Sequence, residues 1–267
     1  AVAHDGTVYF WNVQTAEKIN ATPIKYGFNT VWAALSSDGT RIVTTSRDGT
    51  VNIWNVMATD KINIQPIADD CRIYTAQFNH DGTQVITISY DNTVCVWEAE
   101  TGQRINFERM KHGSLVKSAV FSRDGSRVAT ASSDGTVSAW DAHTGERINI
   151  KQMKQSEMLR GCTFSHDGTR IVTSSHDGTV CVWDTVTGER INTEAIKHYG
   201  DVYSAIFSQD DSRIITASDD GSLGVWDPAT GEPQGQVDFD SVPISIHCCH
   251  ERLVVGLRSG NVFVFQL

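Results

Sequence analysis

The sequence contains no apolar run approaching the roughly 18 to 20 consecutive residues that a membrane-spanning helix needs. It also lacks a basic, then apolar, then small-residue leader at Ala1. Both absences lead us to expect a soluble chain with no membrane partner. Positive charge is scarce: 22 Lys and Arg stand against 32 Asp and Glu, a formal net charge of −10. Such a chain repels a phosphate backbone at long range unless a basic face is segregated from the rest, so nucleic acid is not an expected partner. Nowhere does the 3.6-residue apolar spacing of an amphipathic helix persist over ten or more positions. A glycine-rich phosphate loop, a nucleophile elbow and a His-Glu-x-x-His pair are all missing, which removes the common signatures of nucleotide-binding and hydrolytic enzymes. Cysteine is limited to Cys71, Cys95, Cys162, Cys181, Cys248 and Cys249. A chain of 267 residues does not need disulfide staples, so reduced thiols in a cytoplasmic setting are the expectation.

What is present is a repeat. Trp11, Trp54, Trp97, Trp140, Trp183 and Trp226 follow one another at intervals of 43 residues. A worn seventh copy places Phe265 where the tryptophan belongs. Each unit carries an Asp-Gly turn (Asp124-Gly125), an apolar run (Val128 to Ser132), a second Asp-Gly (Asp134-Gly135), an alternating run ending in tryptophan, and Thr-Gly-Glu. This reads as four short strands joined by tight turns. One small sheet cannot bury both faces until neighbours stack against it, so the pattern predicts an all-β, seven-bladed β-propeller. Its blades are four-stranded and antiparallel, the first and last incomplete, in one domain over 1–267. A closed disc leaves no open sheet edge. That suggests a natural polypeptide extending upstream by on the order of 30 residues. A six-bladed alternative would leave the Phe265 strand redundant.

The residues and their order resemble the WD-repeat family along the whole chain, with Trp-Asp itself at Trp140-Asp141, Trp183-Asp184 and Trp226-Asp227. Trp11 and Trp54 are followed by Asn and Trp97 by Glu, departures from the dipeptide. The long self-matches resemble WD arrays appended to bacterial and fungal multidomain signalling proteins. The resemblance implies strands a to d from a central channel outward, with tryptophan on c and the segment Arg-Ile-Asn on d. It also implies a hydrogen-bonded relay joining a His before strand a, a Thr on strand b, an Asp in the b–c turn and the indole N–H. His112, Thr130, Asp134 and Trp140 complete one relay; His198, Thr216, Asp220 and Trp226 complete another. Tyr26, Asp69 and Gln155 hold the His place elsewhere, so those blades are expected to be less well braced.

Comparing the repeats with one another, the a–b and c–d turns are nearly uniform, whereas the d–a connections are individual. Individual loops on a rigid scaffold are where recognition resides. Family contact positions, carried over, are Arg47, Arg72, Tyr74, Tyr90, Lys117, Met158, Arg160, His176, Tyr203 and Arg258, with Asn29, His4, Asp201 and Asp219 in the same ring. Five cations against two acids make this face locally basic, and Arg and Tyr are enriched at interface hot spots. The plainer alternative is that these are ordinary scattered surface residues. We expect a non-catalytic protein-interaction scaffold, a monomeric domain without cofactor or metal, whose partner is an acidic or phosphorylated protein or peptide. Rivals are a purely structural spacer array in a multidomain signalling protein and an enzyme using the central channel. The His-Asp pairs lie in different turns, and Cys248 and Cys249 alternate faces of a strand, so neither group converges on a metal. A further surface to consider is the rim, where Asn20, Asn63, Asn106, Asn149 and Asn192 recur.

Overall fold

A computed structural model describes residues 7–8, 24–25, 30–46, 48–57, 60–62, 67–68, 72–155, 158–194, 196–249 and 252–266. All of its regular structure is β, and no helix is long and apolar enough to cross a membrane. The residues cluster in two compact units, Ala1–Lys111 with Ala142–Gly145, and His112–Asp141 with Glu146–Leu267.

In the first unit β1 (Thr7–Val8) pairs with β2 (Ile24–Lys25). Two four-stranded sheets follow: β3 (Thr30–Leu35), β4 (Arg41–Ser46), β5 (Thr50–Asn55), β6 (Ile67–Ala68), and β7 (Ile73–Phe78), β8 (Gln84–Ser89), β9 (Thr93–Glu98), β10 (Met110–Lys111). The second unit holds β11 (Val116–Phe121), β12 (Arg127–Ser132), β13 (Thr136–Asp141), β14 (Met153–Lys154), then β15 (Leu159–Phe164), β16 (Arg170–Ser175), β17 (Thr179–Asp184), β18 (Ile196–Lys197). After these come β19 (Val202–Phe207), β20 (Ile214–Ser218), β21 (Ser222–Trp226), β22 (Pro233–Asp238), and the three-stranded β23 (Pro243–Cys249), β24 (Arg252–Leu257), β25 (Val262–Gln266). Every pairing is antiparallel, and the repeated meander is a β-propeller repeat fold.

Burial explains the strand sequences. Strands β4, β8, β12 and β16 are covered on both faces, so RIVTTS, QVITIS, RVATAS and RIVTSS read as nearly continuous β-branched and small residues rather than alternating ones. In the second unit, Val180 and Val182 pack with Ile196 of their own sheet and with Val202 and Ala205 of the next. In the first unit, Val51 and Ile53 pack with Ile67, Ile73 and Ala76 in the same way. Outer strands β10, β14 and β18 pair over only two residues each, and each carries a Lys. A short, charged edge discourages pairing with other chains.

The rim asparagines serve this geometry. Asn149 Oδ1 accepts the Ala139 N–H at 3.0 Å while its Nδ2 donates to the Lys151 carbonyl at 2.5 Å. Asn192 does the same between Val182 N–H (2.9 Å) and the Glu194 carbonyl (2.6 Å). Asn106, Asn149 and Asn192 are buried. Their amides fill the gap where the outer strand leaves the ladder, and they are not a docking rim as the alternative above supposed. Asn20 and Asn63 lie outside the described residues.

Candidate protein-binding surface

In five sheets of the two units a tryptophan indole donates to the threonine of the neighbouring strand, at 2.7 to 3.1 Å (Trp54 to Thr44, Trp97 to Thr87, Trp140 to Thr130, Trp183 to Thr173, Trp226 to Thr216). His112 Nε2 lies 2.6 Å from Thr130 Oγ1, and its Nδ1 lies 3.1 Å from Thr136 Oγ1. Thr136 donates its hydroxyl proton to Asp134 at 2.5 Å, so His112 Nδ1 carries the ring hydrogen and Nε2 accepts from Thr130. His198 has the same arrangement with Thr216 (2.7 Å), and its Nδ1 faces both Ser222 and Asp220 at 3.1 Å. Burial holds both imidazoles below their ordinary pKa, against the opposing pull of Asp134 and Asp220. Burial pushes Asp220 upward, but hydrogen bonds from Ser222 and the Tyr199 amide, with the electrostatic pull of His198, outweigh it and hold the carboxyl below its usual range.

The sequence reading missed Thr136 and Ser222 as relay members, although a Thr or Ser two places after the turn Asp recurs in these repeats. It also undervalued Gln155. This residue is buried, accepts from Thr173 at 2.7 Å and donates to Thr179 Oγ1 at 2.6 Å, standing in for both nitrogens of an imidazole. Tyr26 and Asp69 lie outside the described residues.

Uniform turns turn out to be fasteners between sheets. Arg127 Nη1 donates to the Gly168 carbonyl at 3.4 Å and Arg170 Nη2 to the Asp211 carbonyl at 3.0 Å. The Ile150 and Lys151 amides donate to Val186 and Thr187 carbonyls at 3.0 and 2.9 Å. Gly188 sits at φ +74° with its absent Cβ only 2.3 Å from the Lys151 carbonyl oxygen, so the turn admits no side chain. These surfaces repeat because the neighbouring sheet demands it.

Opposite in character are the first-strand positions. Each first strand has a register shift at its start, between Ile73 and Thr75, Val116 and Ser118, Leu159 and Gly161, and Val202 and Ser204. The extra residues are Tyr74, Lys117, Arg160 and Tyr203, and a bulge of this kind re-aims the side chain it carries. In the second unit Tyr203 lies between two guanidinium groups, Arg160 at 5.7 Å and Arg258 at 5.6 Å from its ring centre. Its hydroxyl accepts from Arg258 Nη2 at 2.6 Å and donates to Asp219 at 3.1 Å. Arg258 also pairs with Asp219 at 3.1 Å. Arg160 pairs with Asp201, which holds His176 Nδ1 at 2.5 Å. Met158 contributes its carbonyl, which accepts the His176 N–H at 2.9 Å. Within the first unit Arg72 lies 5.2 Å from the exposed Tyr90 ring, whose centre is 4.8 Å from that of Tyr74. Burial and the adjacent Tyr90 push the Tyr74 hydroxyl up to about 12.

Two of the five cations counted as free are therefore neutralised by the only two acids in the ring, because side chains 39 and 41 positions apart meet across adjacent sheets. Arg47, Asn29 and His4 lie outside the described residues. Arg72 and Lys117 carry no carboxylate partner among the described residues.

The family described as outer membrane protein assembly factor BamB matches residues 1–237. The chain belongs to this family. No curated protein matches the chain. The BamB match replaces the WD-repeat resemblance. The Trp-Asp pairs that suggested it answer local needs of the sheet: Trp183 donates to Thr173 as above, and Asp184 Oδ1 caps its turn by accepting the Val186 and Thr187 amides at 3.0 and 2.7 Å. The cytoplasmic assignment falls too, since BamB proteins are described as outer membrane protein assembly factors. It rested on thiols, and buried thiols carry no such information. Cys162 and Cys181 are buried, and burial pushes them up to about 12 and about 11, leaving them protonated and shielded from oxidants in any compartment. The signalling context inferred alongside the WD arrays has no support in the BamB match either.

Proposed function

We propose that the chain is a non-catalytic protein-interaction scaffold that holds a partner protein on the surface formed by the bulged first strands and the turns between second and third strands. The single observation that carries this is the Tyr203 cluster, an aromatic ring held between two arginines that are themselves fixed by Asp201 and Asp219. The exposed pair of Arg258 with Asp219 contributes little to stability, since exposed ion pairs are worth about 0 to 1 kcal/mol. A preorganised Arg and Tyr platform is what a protein interface uses. That the family is described as an assembly factor fits a chain whose work is to hold other proteins.

We propose further that the sheets form a seven-bladed propeller, with Phe265 marking the seventh, and that the partner presents acidic or phosphorylated groups. The acidic preference rests on Arg72 and Lys117, which carry no carboxylate partner among the described residues, rather than on Arg160 and Arg258. The test is chemical cross-linking of the chain to partners in cell-envelope extracts. Tyr203→Ala with Arg258→Ala should abolish the cross-linked species at unchanged thermal stability. Arg72→Glu with Lys117→Glu should weaken it and flatten its salt dependence. Undiminished cross-linking by the Tyr203 and Arg258 variant would overturn the proposal.

A further inference from the structure

In each antiparallel meander the turn between first and second strands lies at the opposite end of the sheet from the turn between second and third, and so away from the Tyr203 cluster. At one of these turns a carboxylate is bound. Asp211, between β19 and β20, reaches the turn between β15 and β16, where its Oδ1 accepts the His166 N–H at 2.8 Å and its Oδ2 the Asp167 N–H at 3.1 Å. The His166 ring adds its Nδ1 at 3.4 Å. Asp211 holds φ +58°, where the sister turns have Gly39, Gly82, Gly125 and Gly168 at +69° to +74°. That conformation costs an ordinary residue about 1 kcal/mol. The same turn recurs between β11 and β12 without a carboxylate. Ser122 Oγ holds Asp124 at 2.5 Å as Ser165 Oγ holds Asp167 at 2.6 Å, and Gly125 N–H closes on the Ser122 carbonyl at 2.9 Å as Gly168 N–H closes on that of Ser165 at 3.0 Å. Arg127 reaches the Gly168 carbonyl as Arg170 reaches that of Asp211, so both turns face their neighbours alike. Gly168 takes the place of Asp211 and brings no side chain. A Cβ added to it would stand 3.9 Å from the Ser122 Cβ, an ordinary contact, so there is room beside the turn. The Arg123 and Asp124 amides have no hydrogen-bond partner among the described residues, and exposed Arg123 occupies the place of His166.

We propose that the Arg123–Asp124 turn is a carboxylate-binding site, which takes an aspartate side chain of a separate protein as the His166–Asp167 turn takes Asp211. The two amide N–H groups donate to the two carboxylate oxygens, and the Arg123 guanidinium supplies a full positive charge where the other turn has only an imidazole. Asp124 does not oppose this ligand. Its carboxylate is engaged by the Ser122 and Ser126 hydroxyls at 2.5 and 2.8 Å. Asp167 is engaged in the same way by Ser165 and Thr169 while Asp211 is bound beside it. The site shares no residue with the Tyr203 cluster and stands independently of what that surface holds.

The experiment titrates a Gly-Asp-Gly peptide, capped at both ends, into the isotope-labelled 267-residue chain at constant ionic strength and follows the backbone amide resonances. Saturable shifts are expected at Arg123 and Asp124, with a Kd of about 1 mM for so small a ligand, while His166 and Asp167 stay unmoved. The capped Gly-Asn-Gly peptide should bind at least about tenfold more weakly, because its hydrogen bonds are no longer charge-assisted. Gly168→Asp places a carboxylate where Asp211 has one and should remove the response at Arg123 and Asp124. Asp211→Gly empties the filled turn, and His166 and Asp167 should then respond to the peptide; this arm decides the matter if Gly168→Asp does not fold. Any of four results overturns the proposal: Gly-Asn-Gly binding as well as Gly-Asp-Gly, the same shifts from chloride alone, an undiminished response in folded Gly168→Asp, or silent His166 and Asp167 amides in Asp211→Gly. Inorganic phosphate displacing the peptide at a lower concentration than the peptide itself requires also overturns it, since the turn would then be a phosphate site.

Discussion

Gln155 accepts a hydrogen bond from Thr173 at 2.7 Å, and the same Thr173 hydroxyl accepts the Trp183 indole N–H at 2.9 Å. An amide thus closes the circuit that an imidazole closes in the sheets of His112 and His198. Removing it takes away the acceptor of the Thr173 hydroxyl at 2.7 Å and the amide donor to Thr179 at 2.6 Å. Gln155→Ala should cost about 1 to 3 kcal/mol, matching His112→Ala in chemical denaturation. A loss under about 0.5 kcal/mol, typical of a surface position, would show that Gln155 is not a relay member.

The two histidines set a pH dependence. Their folded-state pKa values lie below the ordinary 6.5 because burial disfavours the charged ring. Folding therefore favours the neutral form, and this stability is fully present above pH 6.5 and lost as pH falls from 6.5 through the lowered value. The denaturation midpoint should drop on acidification in that window, with a slope of up to about 1.4 kcal/mol per pH unit for each histidine. The double variant His112→Gln, His198→Gln, patterned on Gln155, should keep its stability at pH 8 and lose that slope. Carboxylates such as Asp38, held at about 2 by hydrogen bonds from Ser36 and Thr40, act lower, their stability present above 3.8 and lost below it. That acid limb should survive in the variant.

Ser174 points its hydroxyl into a buried place with no hydrogen-bond partner among the described residues. Ala131 and Ala217 occupy the corresponding sites in two other sheets. Ser174→Ala should raise stability by about 1 kcal/mol, since the unpaired hydroxyl is removed without opening a cavity of consequence. A destabilised variant would mean that the hydroxyl finds a partner, such as a buried water.

Asn192 joins Val182 N–H and the Glu194 carbonyl inside the sheet. Asn192→Ala strands both groups and should cost about 2 kcal/mol, with faster hydrogen exchange at Val182. Asn192→Asp should also fail, because a carboxylate cannot donate to the Glu194 carbonyl. Exchange at Val182 unchanged in both variants would contradict the role.

The 43-residue period, the four-strand unit, the turns and the absence of helix were legible in the chain because each depends on contacts within one sheet. An Asp-Gly turn, a Thr opposite a Trp ten places on and an alternating strand are decided by neighbours a few residues away. The Tyr74, Lys117, Arg160 and Tyr203 positions could be chosen from the pattern, but their state could not. Asp201 meets Arg160, and Asp219 meets Arg258, only because adjacent sheets bring side chains 41 and 39 positions apart within hydrogen-bond reach. A count of charges along the sequence cannot tell a free guanidinium from a paired one. Gln155 for His and the buried rim asparagines share that cause: each depends on which surface the next sheet covers, and stacking of sheets is set by the packed structure rather than by any local signal.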